Sequence, residues 1–379
     1  MTRAWQPGQL LFVGFDGTTV PPALAEWIAA GRVGGVILFK RNVEDPGQVR
    51  RLCEGLHAAA PAGAPLVIAI DQEGGRVQRL RAPWTEWPPM RRVGELGDLE
   101  ARGAMGRALA VELGEMGIGL DFAPVVDVDT NPQNPVIGDR SFAREPARVA
   151  AHAAAFITAM QAAGVGACAK HFPGHGDTVS DSHLELPRLE HDLDRLREVE
   201  LVPFAAAAKA GVASMMTAHV LFPRLDRRRP ATLSPPIMAL LREELGYDGV
   251  VFSDDLEMRA VADHFGVKER VLGPLEAGCD ALLVCSQQDL AAEAIRLLEK
   301  APDRLLEGPL RRMHALKAGF GGRRSPAAAG GGEAEAAALA AAERRRLAER
   351  SGRGAKGKDA APARPPYPEH QALAERLRG

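Results

Sequence analysis

The sequence predicts a single α/β catalytic domain, a (β/α)₈ barrel of the TIM type over residues 1–320, with a disordered C-terminal tail over residues 321–379. Before Phe320, short apolar runs rich in β-branched residues alternate with longer Ala- and Leu-rich stretches. Parallel strands that are covered by helices on both faces have this continuous apolar character. After Phe320 the composition changes sharply. Strand–helix units within about 310 residues fit a barrel, whose usual length is roughly 250 residues plus insertions.

Eight apolar runs are candidate strands, and segments with helical periodicity lie between many of them. The runs cover residues 10–15, 35–39, 66–71, 120–126, 167–171, 214–219, 249–254 and 281–285. The helical segments include residues 147–163, 194–210 and 236–245. A doubly wound open sheet is the alternative fold, but no GxGxxG motif follows an early strand to support it.

The tail begins with two glycines and two arginines and continues in Ala- and Gly-rich sequence that has almost no Val, Ile or Phe. Residues 333–350 could form an isolated helix, and the last residues again have weak helical character. Such a segment cannot bury enough apolar surface to offset its ordering entropy. We therefore expect a disordered tail without catalytic residues. Binding to a partner or a surface is its alternative role.

The composition argues against several classes of protein. The 379 residues are 46% hydrophobic and 25% charged, as in a globular protein, and the net charge of −2 does not suggest nucleic-acid binding. We expect no membrane insertion, because no segment approaches the roughly 18 uninterrupted apolar residues that cross a bilayer. The N-terminus lacks a signal-peptide pattern, and the four cysteines form no CxxC pair. The sequence therefore predicts a reduced, cytoplasmic protein without a cofactor.

Polar side chains follow five of the candidate strands, at the end where barrels of this type carry their reactive groups. A single such residue could simply cap a helix or form an Asx-turn. Five groups on one rim indicate an active site, because clustered charges are costly unless they pair or meet a ligand. They are Asp71, Gln72 and Glu73; Asp127 and Asp129; Lys170 and His171; His219; and Asp254 and Asp255.

The loop that follows Lys170 is the densest of these polar segments, and two interpretations of it stay open on the residues alone. One is a metal site, because His171, His175 and His183 are close in sequence and such clusters bind zinc or iron. The other is sugar recognition combined with a histidine acid/base. Asp181 lies two residues before His183, near enough in a bent loop to fix the imidazole tautomer. The other ring nitrogen would then exchange a proton with a leaving group.

Five motifs occur along the chain within residues 8–320: DQEGGRVQR at 71–79, NPVIGDRSF at 134–142, KHFPGHGDT at 170–178, DSH at 181–183 and FSDDLEM at 252–258. In this order they resemble the motifs of the glycoside hydrolase family 3 β-N-acetylglucosaminidases, of the type that recycles bacterial peptidoglycan in the cytoplasm. The tail beyond residue 320 has no counterpart in this resemblance.

The resemblance implies that Asp254 is a nucleophile that forms a covalent glycosyl-enzyme intermediate. It also implies that His183 is the general acid/base, with Asp181 as its partner. An oxocarbenium-like transition state needs a carboxylate at the anomeric carbon and a proton donor at the leaving oxygen, which agrees with these roles. The resemblance further implies no metal, and a set of residues that hold the sugar hydroxyls and the N-acetyl group. These residues are Asp71, Arg79, Arg140, Lys170 and His171.

Other residues remain alternatives for the catalytic roles. Asp255 is the alternative nucleophile, although its position next to Asp254 should turn its side chain the other way along a strand. The usual glycosidase design uses two carboxyl groups, in which case a glutamate would replace His183 as acid/base. The candidate glutamates are Glu73, Glu185 and Glu257.

The function that the resemblance implies is hydrolysis of terminal β-linked N-acetylglucosamine from peptidoglycan fragments, with 1,6-anhydro-N-acetylmuramic acid or its peptides as the aglycone. One alternative is a family 3 glycoside phosphorylase, because a histidine would repel incoming phosphate less than a glutamate. A metal-dependent hydrolase, a generalist β-glucosidase and a non-catalytic sugar-binding protein are the others. We expect the carbohydrate to be the partner of a monomeric protein.

Overall fold

A computed structural model of the chain describes residues 6–182, 184–322 and 365–379. Within them, eight parallel strands close into a barrel and follow one another around it in chain order. An antiparallel hairpin of two further strands lies outside this ring, between its third and fourth strands in sequence. The predicted (β/α)₈ barrel is confirmed. The barrel strands are β1 (Leu11–Val13), β2 (Gly35–Leu38), β3 (Val67–Ile70), β6 (Leu120–Asp121), β7 (Gly166–Phe172), β8 (Ser214–Thr217), β9 (Val250–Asp255) and β10 (Ala281–Val284), and the hairpin is β4 (Gln72–Gly74) with β5 (Val77–Gln78).

Helices connect the strands and cover the barrel. A π-helical turn, Leu196–Glu200, joins the sixth helix to the seventh, and Leu240–Glu244 extends the eighth. The three helical segments that periodicity predicted are therefore confirmed to within a residue or two of their ends. The helices are α1 (Pro22–Ala29), α2 (Pro46–Ala59), α3 (Met90–Glu95), α4 (Leu99–Met116), α5 (Pro146–Ala162), α6 (Leu193–Arg195), α7 (Leu201–Lys209), α8 (Pro235–Ala239), α9 (Arg259–Ala262), α10 (Val267–Ala277), α11 (Gln288–Glu299), α12 (Glu307–Phe320) and α13 (Pro368–Arg378).

Local sequence signals fix the ends of several helices. The carboxylate of Asp45 accepts a hydrogen bond from the backbone N–H of Gln48 at the start of α2. Asp98 caps α4 in the same way, and Gly117 ends α4 with a φ of 87°. An aspartate N-cap satisfies a donor that the first turn leaves open, and glycine adopts this left-handed conformation without steric cost.

Aromatic side chains fill the barrel below the site. The ring of Phe252 lies 4.9 Å from that of Phe12 and 5.2 Å from that of Phe122, both edge to face. Asp254 follows Phe252 by two residues on β9 and lies nearer the end of the strand than this apolar floor. The register of β9 against β10 shifts between the pairs Phe252–Ala281 and Asp255–Leu283.

The fourth predicted strand is shorter than expected. Sequence analysis predicted a strand over residues 120–126, but β6 ends at Asp121. Pro124 accepts a hydrogen bond from the backbone N–H of Lys170, at 3.3 Å, but has no N–H to donate to a neighbouring strand, so the regular ladder is interrupted here. Beyond it, Val125 forms an isolated bridge with Lys170, which keeps this segment beside β7.

The expectation of a disordered tail is wrong for its last residues. Helix α13 packs against α3 and α4, and Tyr367, Ala374 and Leu377 are buried there. The Tyr367 hydroxyl also donates to Glu115 Oε2 at 2.6 Å. The segment has few apolar residues, and these three are the ones buried against the two helices. Residues 323–364, for which disorder was also predicted, lie outside the described residues. No helix in the described part of the chain is long and apolar enough to span a membrane.

Candidate active site

A buried lysine at the end of β7 joins two carboxylates that follow β3. Lys170 Nζ lies 2.7 Å from Asp71 Oδ1 and 2.7 Å from Glu73 Oε1. The side chains of Lys170 and Glu73 are only 3% and 2% exposed. Asp71 and Glu73 are two residues apart where β3 continues into β4, and this spacing places side chains on one face of an extended chain. The predicted binding residues Asp71 and Lys170 are therefore in direct contact.

Two predicted arginines complete this network. Arg140 donates to Glu73 through Nε and Nη2, each 2.8 Å from a carboxylate oxygen. Its third nitrogen, Nη1, donates to the carbonyl of Val136 at 3.2 Å. Arg79 Nη2 lies 3.0 Å from Asp71 Oδ2. Arg140 thus holds Glu73 in a bidentate pair, whereas Arg79 borders Asp71 from the outer side.

The electrostatics of the network favour its charged forms. Burial would raise the pKa of Glu73, but Arg140 and Lys170 lower it well below its usual value. Burial would likewise lower the pKa of Lys170, but Asp71 and Glu73 raise it. The network therefore offers a polar ligand fixed charges whose positions are set by the protein itself.

The glutamates that were alternatives for the acid/base role are poorly suited to it. A general acid near neutral pH needs a raised pKa, and the pKa of Glu73 is lowered. The carboxylate of Glu257 accepts from the backbone N–H groups of Ser286 and Gln287, at 2.8 and 2.7 Å, just before α11. Glu185 is exposed on the loop after β7.

Asp127 organises the loop that follows β7. Its carboxylate accepts from the backbone N–H of His171 at 3.2 Å and of His175 at 2.7 Å, and lies 2.8 Å from His171 Nδ1. Burial would raise the pKa of Asp127, but His171 lowers it. The sequence pattern indicated Asp127 only as a polar residue after a strand. The structure shows that it fixes the ring of the predicted binding residue His171.

His175 is occupied by hydrogen bonds at both ring nitrogens. Nδ1 lies 2.9 Å from Thr178 Oγ1, and Nε2 lies 3.0 Å from Ser182 Oγ. Burial, followed by the charge of His171, lowers the pKa of His175 to about 4. A metal ion would have to displace one of these bonds. Over residues 6–182, 184–322 and 365–379, no group of three His, Cys, Asp or Glu side chains could hold a metal ion.

Asp254 and Asp255 face different surroundings at the end of β9. The charge of Asp254 raises the pKa of His175, but burial and the charge of His171 lower that pKa by more. The backbone N–H of Asp255 donates to Asp254 Oδ1 at 2.8 Å, which orients the Asp254 carboxylate. Burial, followed by the charge of Glu257, raises the pKa of Asp255 to about 7. This arrangement favours Asp254 as the residue that faces the loop after β7.

The loop that carries Asp181 reaches the end of β9. The carbonyl of Ser182 accepts a hydrogen bond from the backbone N–H of Ala260, at 3.3 Å, and Ala260 belongs to the short helix after Asp254. The carbonyl of Asp181 accepts from the N–H groups of Leu184 and Glu185, at 2.9 and 3.1 Å, so the chain turns sharply here. The predicted acid/base His183, which stands between Ser182 and Leu184 in the sequence, is outside the described residues.

Comparisons with known proteins agree with this architecture. Residues 6–313 match the sequence model described as the N-terminal domain of glycosyl hydrolase family 3. The chain is similar to a β-hexosaminidase of Thiobacillus denitrificans, with 43% identity over 288 residues that span 74% of this chain and 79% of that protein.

Two solved structures show the same similarity in three dimensions. A family 3 β-N-acetylglucosaminidase from a Paenibacillus species has a TM-score of 0.83 at 36% identity, covering 100% of this chain and 68% of that one. The NagZ of Neisseria gonorrhoeae, in complex with N-trifluoroacetyl-D-glucosamine, has a TM-score of 0.78 at 31% identity, covering 99% of this chain and 98% of that one.

Proposed function

The chain belongs to glycosyl hydrolase family 3, and from this membership we propose that it is a retaining exo-β-N-acetylglucosaminidase that acts on peptidoglycan fragments. The observation that carries the proposal is the hydrogen bond between Ser182 and Ala260, because it brings the loop with Asp181 to the strand end with Asp254. A carboxylate and a proton donor on opposite sides of a glycosidic bond are what the reaction requires. The Neisseria relative binds an N-acetylglucosamine analogue, which supports the sugar assignment.

The proposed reaction has two steps. In the first, the Asp254 carboxylate attacks the anomeric carbon while His183 gives its proton to the leaving oxygen, and a glycosyl ester forms. In the second, water attacks the same carbon, His183 takes the proton from the water, and the ester bond breaks. Asp181 would orient the imidazole of His183 through one ring nitrogen. The bond from Asp255 N–H to Asp254 Oδ1 holds the nucleophile on its rigid strand.

We further propose that the charged network holds the sugar. Asp71, Lys170 and Arg79 would bind hydroxyl groups, since their charges are fixed by one another and remain at the mouth of the barrel. His171 would contribute the ring nitrogen that does not face Asp127. Arg140, whose nitrogens donate within the protein, would act on the sugar mainly by holding Glu73.

Replacing His183 by Gly tests the acid/base assignment. We expect turnover of 4-nitrophenyl N-acetyl-β-glucosaminide to fall by about 10²–10⁴-fold, the usual effect of a lost proton transfer. His264→Gly, at an exposed position, should keep full activity. A fluorinated glycoside should label Asp254 covalently, as read by peptide mass. Full activity of His183→Gly, or an adduct on Asp255, would contradict the assignment.

The same assays separate the alternative activities. A phosphorylase would form sugar 1-phosphate when phosphate is present, whereas we expect free N-acetylglucosamine with or without it. Cleavage of the matched glucoside at an equal rate would indicate a generalist β-glucosidase. Loss of activity on exhaustive chelation, with recovery on adding zinc, would indicate the metal-dependent hydrolase.

We propose that the protein acts as a monomer in the cytoplasm, on fragments released from the cell wall. The four cysteines are buried and unpaired, which agrees with a reducing compartment. Activity in the cytoplasmic fraction and a monomeric mass in sedimentation are the expected results. Activity in the periplasmic or culture fraction would contradict this location.

A further inference from the structure

A cavity of about 810 Å³ opens on the rim of the barrel, between two segments that follow β7 and β8. Backbone hydrogen bonds hold these segments together, since Leu189 N–H donates to Leu221 O and Leu221 N–H donates to Pro187 O, both at 2.9 Å. We call this space the arginine cavity. It is lined by Arg188, Glu190, Asp192, Pro223, Arg224 and Arg227.

The arginine cavity has more cationic than anionic groups. Arg188 Nε lies 2.7 Å from Glu190 Oε1, whereas the distance from Arg224 Nη1 to Asp192 Oδ2 is longer, at 3.9 Å. These four side chains are all more than half exposed, and exposed ion pairs of this kind are weak. In the described part of the chain, Arg227 has no ion pair. A carboxylate that enters the cavity would therefore meet one unneutralised guanidinium and two that are held loosely.

The two segments that form the cavity contact the loop after β7 and the end of β9. His191 lies between two lining residues, and its Nε2 is 3.1 Å from Asp177 Oδ2 in the loop after β7. In the other segment, the buried His219 precedes the lining residue Pro223 by four positions, and its Nε2 is 3.0 Å from the backbone oxygen of Asp255, the neighbour of the proposed nucleophile. Arg188 follows His183 by five residues in the chain. The cavity therefore lies beside the loop after β7, which contains the proposed proton donor in its sequence, and beside the end of β9 with the proposed nucleophile.

We infer that the arginine cavity binds the carboxylates of a peptide attached to the aglycone of the substrate. This inference rests on the proposed glycosidase function. Terminal N-acetylglucosamine carries no charge, so the part of the substrate that would pair with these arginines is the group beyond the glycosidic bond. The planar guanidinium group donates two parallel hydrogen bonds to a carboxylate, which gives affinity and orientation together. A peptide with two or more carboxylates would use Arg227 and displace Asp192 from Arg224.

The test compares three substrates with the double variant Arg224→Gln and Arg227→Gln. The substrates are a neutral 4-nitrophenyl glycoside, the disaccharide without peptide, and the same disaccharide with a peptide that has at least two carboxylates. We expect KM for the peptide-bearing substrate to rise at least 10-fold with kcat unchanged. KM for the neutral glycoside should stay within twofold of the unchanged protein.

Arg228→Gln with Arg229→Gln is the matched control, because these arginines are exposed in the same loop but do not line the cavity. The control should leave all three KM values unchanged. An equal effect of both double variants would show a general charge effect and overturn the inference, as would equal KM values for the peptide-bearing substrate before and after Arg224 and Arg227 are replaced. If the unchanged protein cleaves none of the three substrates, the proposed function fails instead.

Discussion

The ammonium group of Lys170 forms ion pairs with both Asp71 and Glu73 at the mouth of the barrel. Replacement by Met keeps an apolar side chain of similar length and removes the ammonium group. We expect the free energy of unfolding to fall by about 3–5 kcal/mol, the range for a buried ion pair that loses one partner. Urea denaturation near neutral pH measures this loss.

Arg79→Met is the matched control for Lys170→Met. The Arg79 side chain is 26% exposed, and among the described residues its one ion pair is with Asp71, at 3.0 Å, so its loss leaves Lys170 to neutralise both carboxylates. We expect a loss of stability less than half as large as that of Lys170→Met. Equal losses would show that Lys170 is not the centre of the network.

The raised pKa of Asp255 gives a pH dependence with a definite sign. The pKa is about 7 in the folded protein because of burial and then Glu257, against about 3.9 in the unfolded chain. The contribution of Asp255 to stability is therefore fully present below about pH 4 and is lost as the pH rises to about 7. Relative to Asp255→Asn, the unfolding free energy of the unchanged protein should fall across this window, by up to about 4 kcal/mol.

The control for Asp255→Asn is Asp263→Asn, which removes an exposed carboxylate paired with Arg259 at 2.9 Å. Its unfolding free energy should follow the pH profile of the unchanged protein. If Asp255→Asn also follows that profile, the carboxyl of Asp255 does not titrate as stated.

At the scale of single residues, the sequence predicted positions better than partners. Asp71, Lys170 and Asp254 could be placed on one rim because parallel strands in a barrel end on the same side. The pair of Glu73 with Arg140 joins residues 67 positions apart, and no local pattern indicates it. Asp127 was seen as a polar strand end, but its hold on His171 depends on the path of the backbone between them.

At the scale of elements, α13 supports the hairpin that precedes the proposed binding residue Arg79. His370 Nδ1 on α13 lies 2.7 Å from Glu112 Oε1, and the Glu112 side chain is 2% exposed. Glu112 also accepts from the hydroxyl of Thr85 at 2.6 Å, and the carbonyl of Thr85 accepts from Gln78 Nε2 at 2.6 Å. Gln78 is the last residue of β5, so a chain of contacts runs from α13 to the edge of the site.

Replacing His370 by Ala would leave the buried Glu112 carboxylate with one partner fewer. We expect the free energy of unfolding to fall by about 1–3 kcal/mol, the usual penalty for an unsatisfied buried polar group. His314→Ala, at an exposed position on α12, should cost less than half of this. Equal losses in urea denaturation would mean that the contact of α13 with Glu112 adds no stability.

Elements with continuous apolar sequence were predictable, whereas for α13 the sequence indicated only weak helical character and not its packing. Strands such as β2 and β3 are buried on both sides, so every residue in them is apolar or small and the run stands out in the sequence. Helix α13 buries Ala374 and Leu377 on one side among many charged residues, and the buried Tyr367 stands just before its first turn. Its position depends on a surface of α3 and α4 that only the folded chain provides.

At the scale of the whole molecule, the number of strand–helix units decided the architecture. Eight units in chain order close the ring, and each barrel strand then has a neighbour on both sides. Closure also gathers the strand ends into one mouth, which is why polar residues far apart in sequence could be assigned to a single site. The arginine cavity could not be predicted in this way, because two loops of irregular conformation form it.

Helix α13 is held much as a ligand is held, through side chains and through the carbonyl of Arg378, which accepts from Arg92 Nη2 at 2.8 Å. Because it belongs to the same polypeptide, dilution does not release it. Cleavage between α12 and α13 would make its docking bimolecular, and the stability of the barrel would then follow the concentration of the free peptide. Residues 365–379 and the barrel would then be the two parts of a complementation pair. The free energy of unfolding of the barrel would rise with the concentration of added peptide.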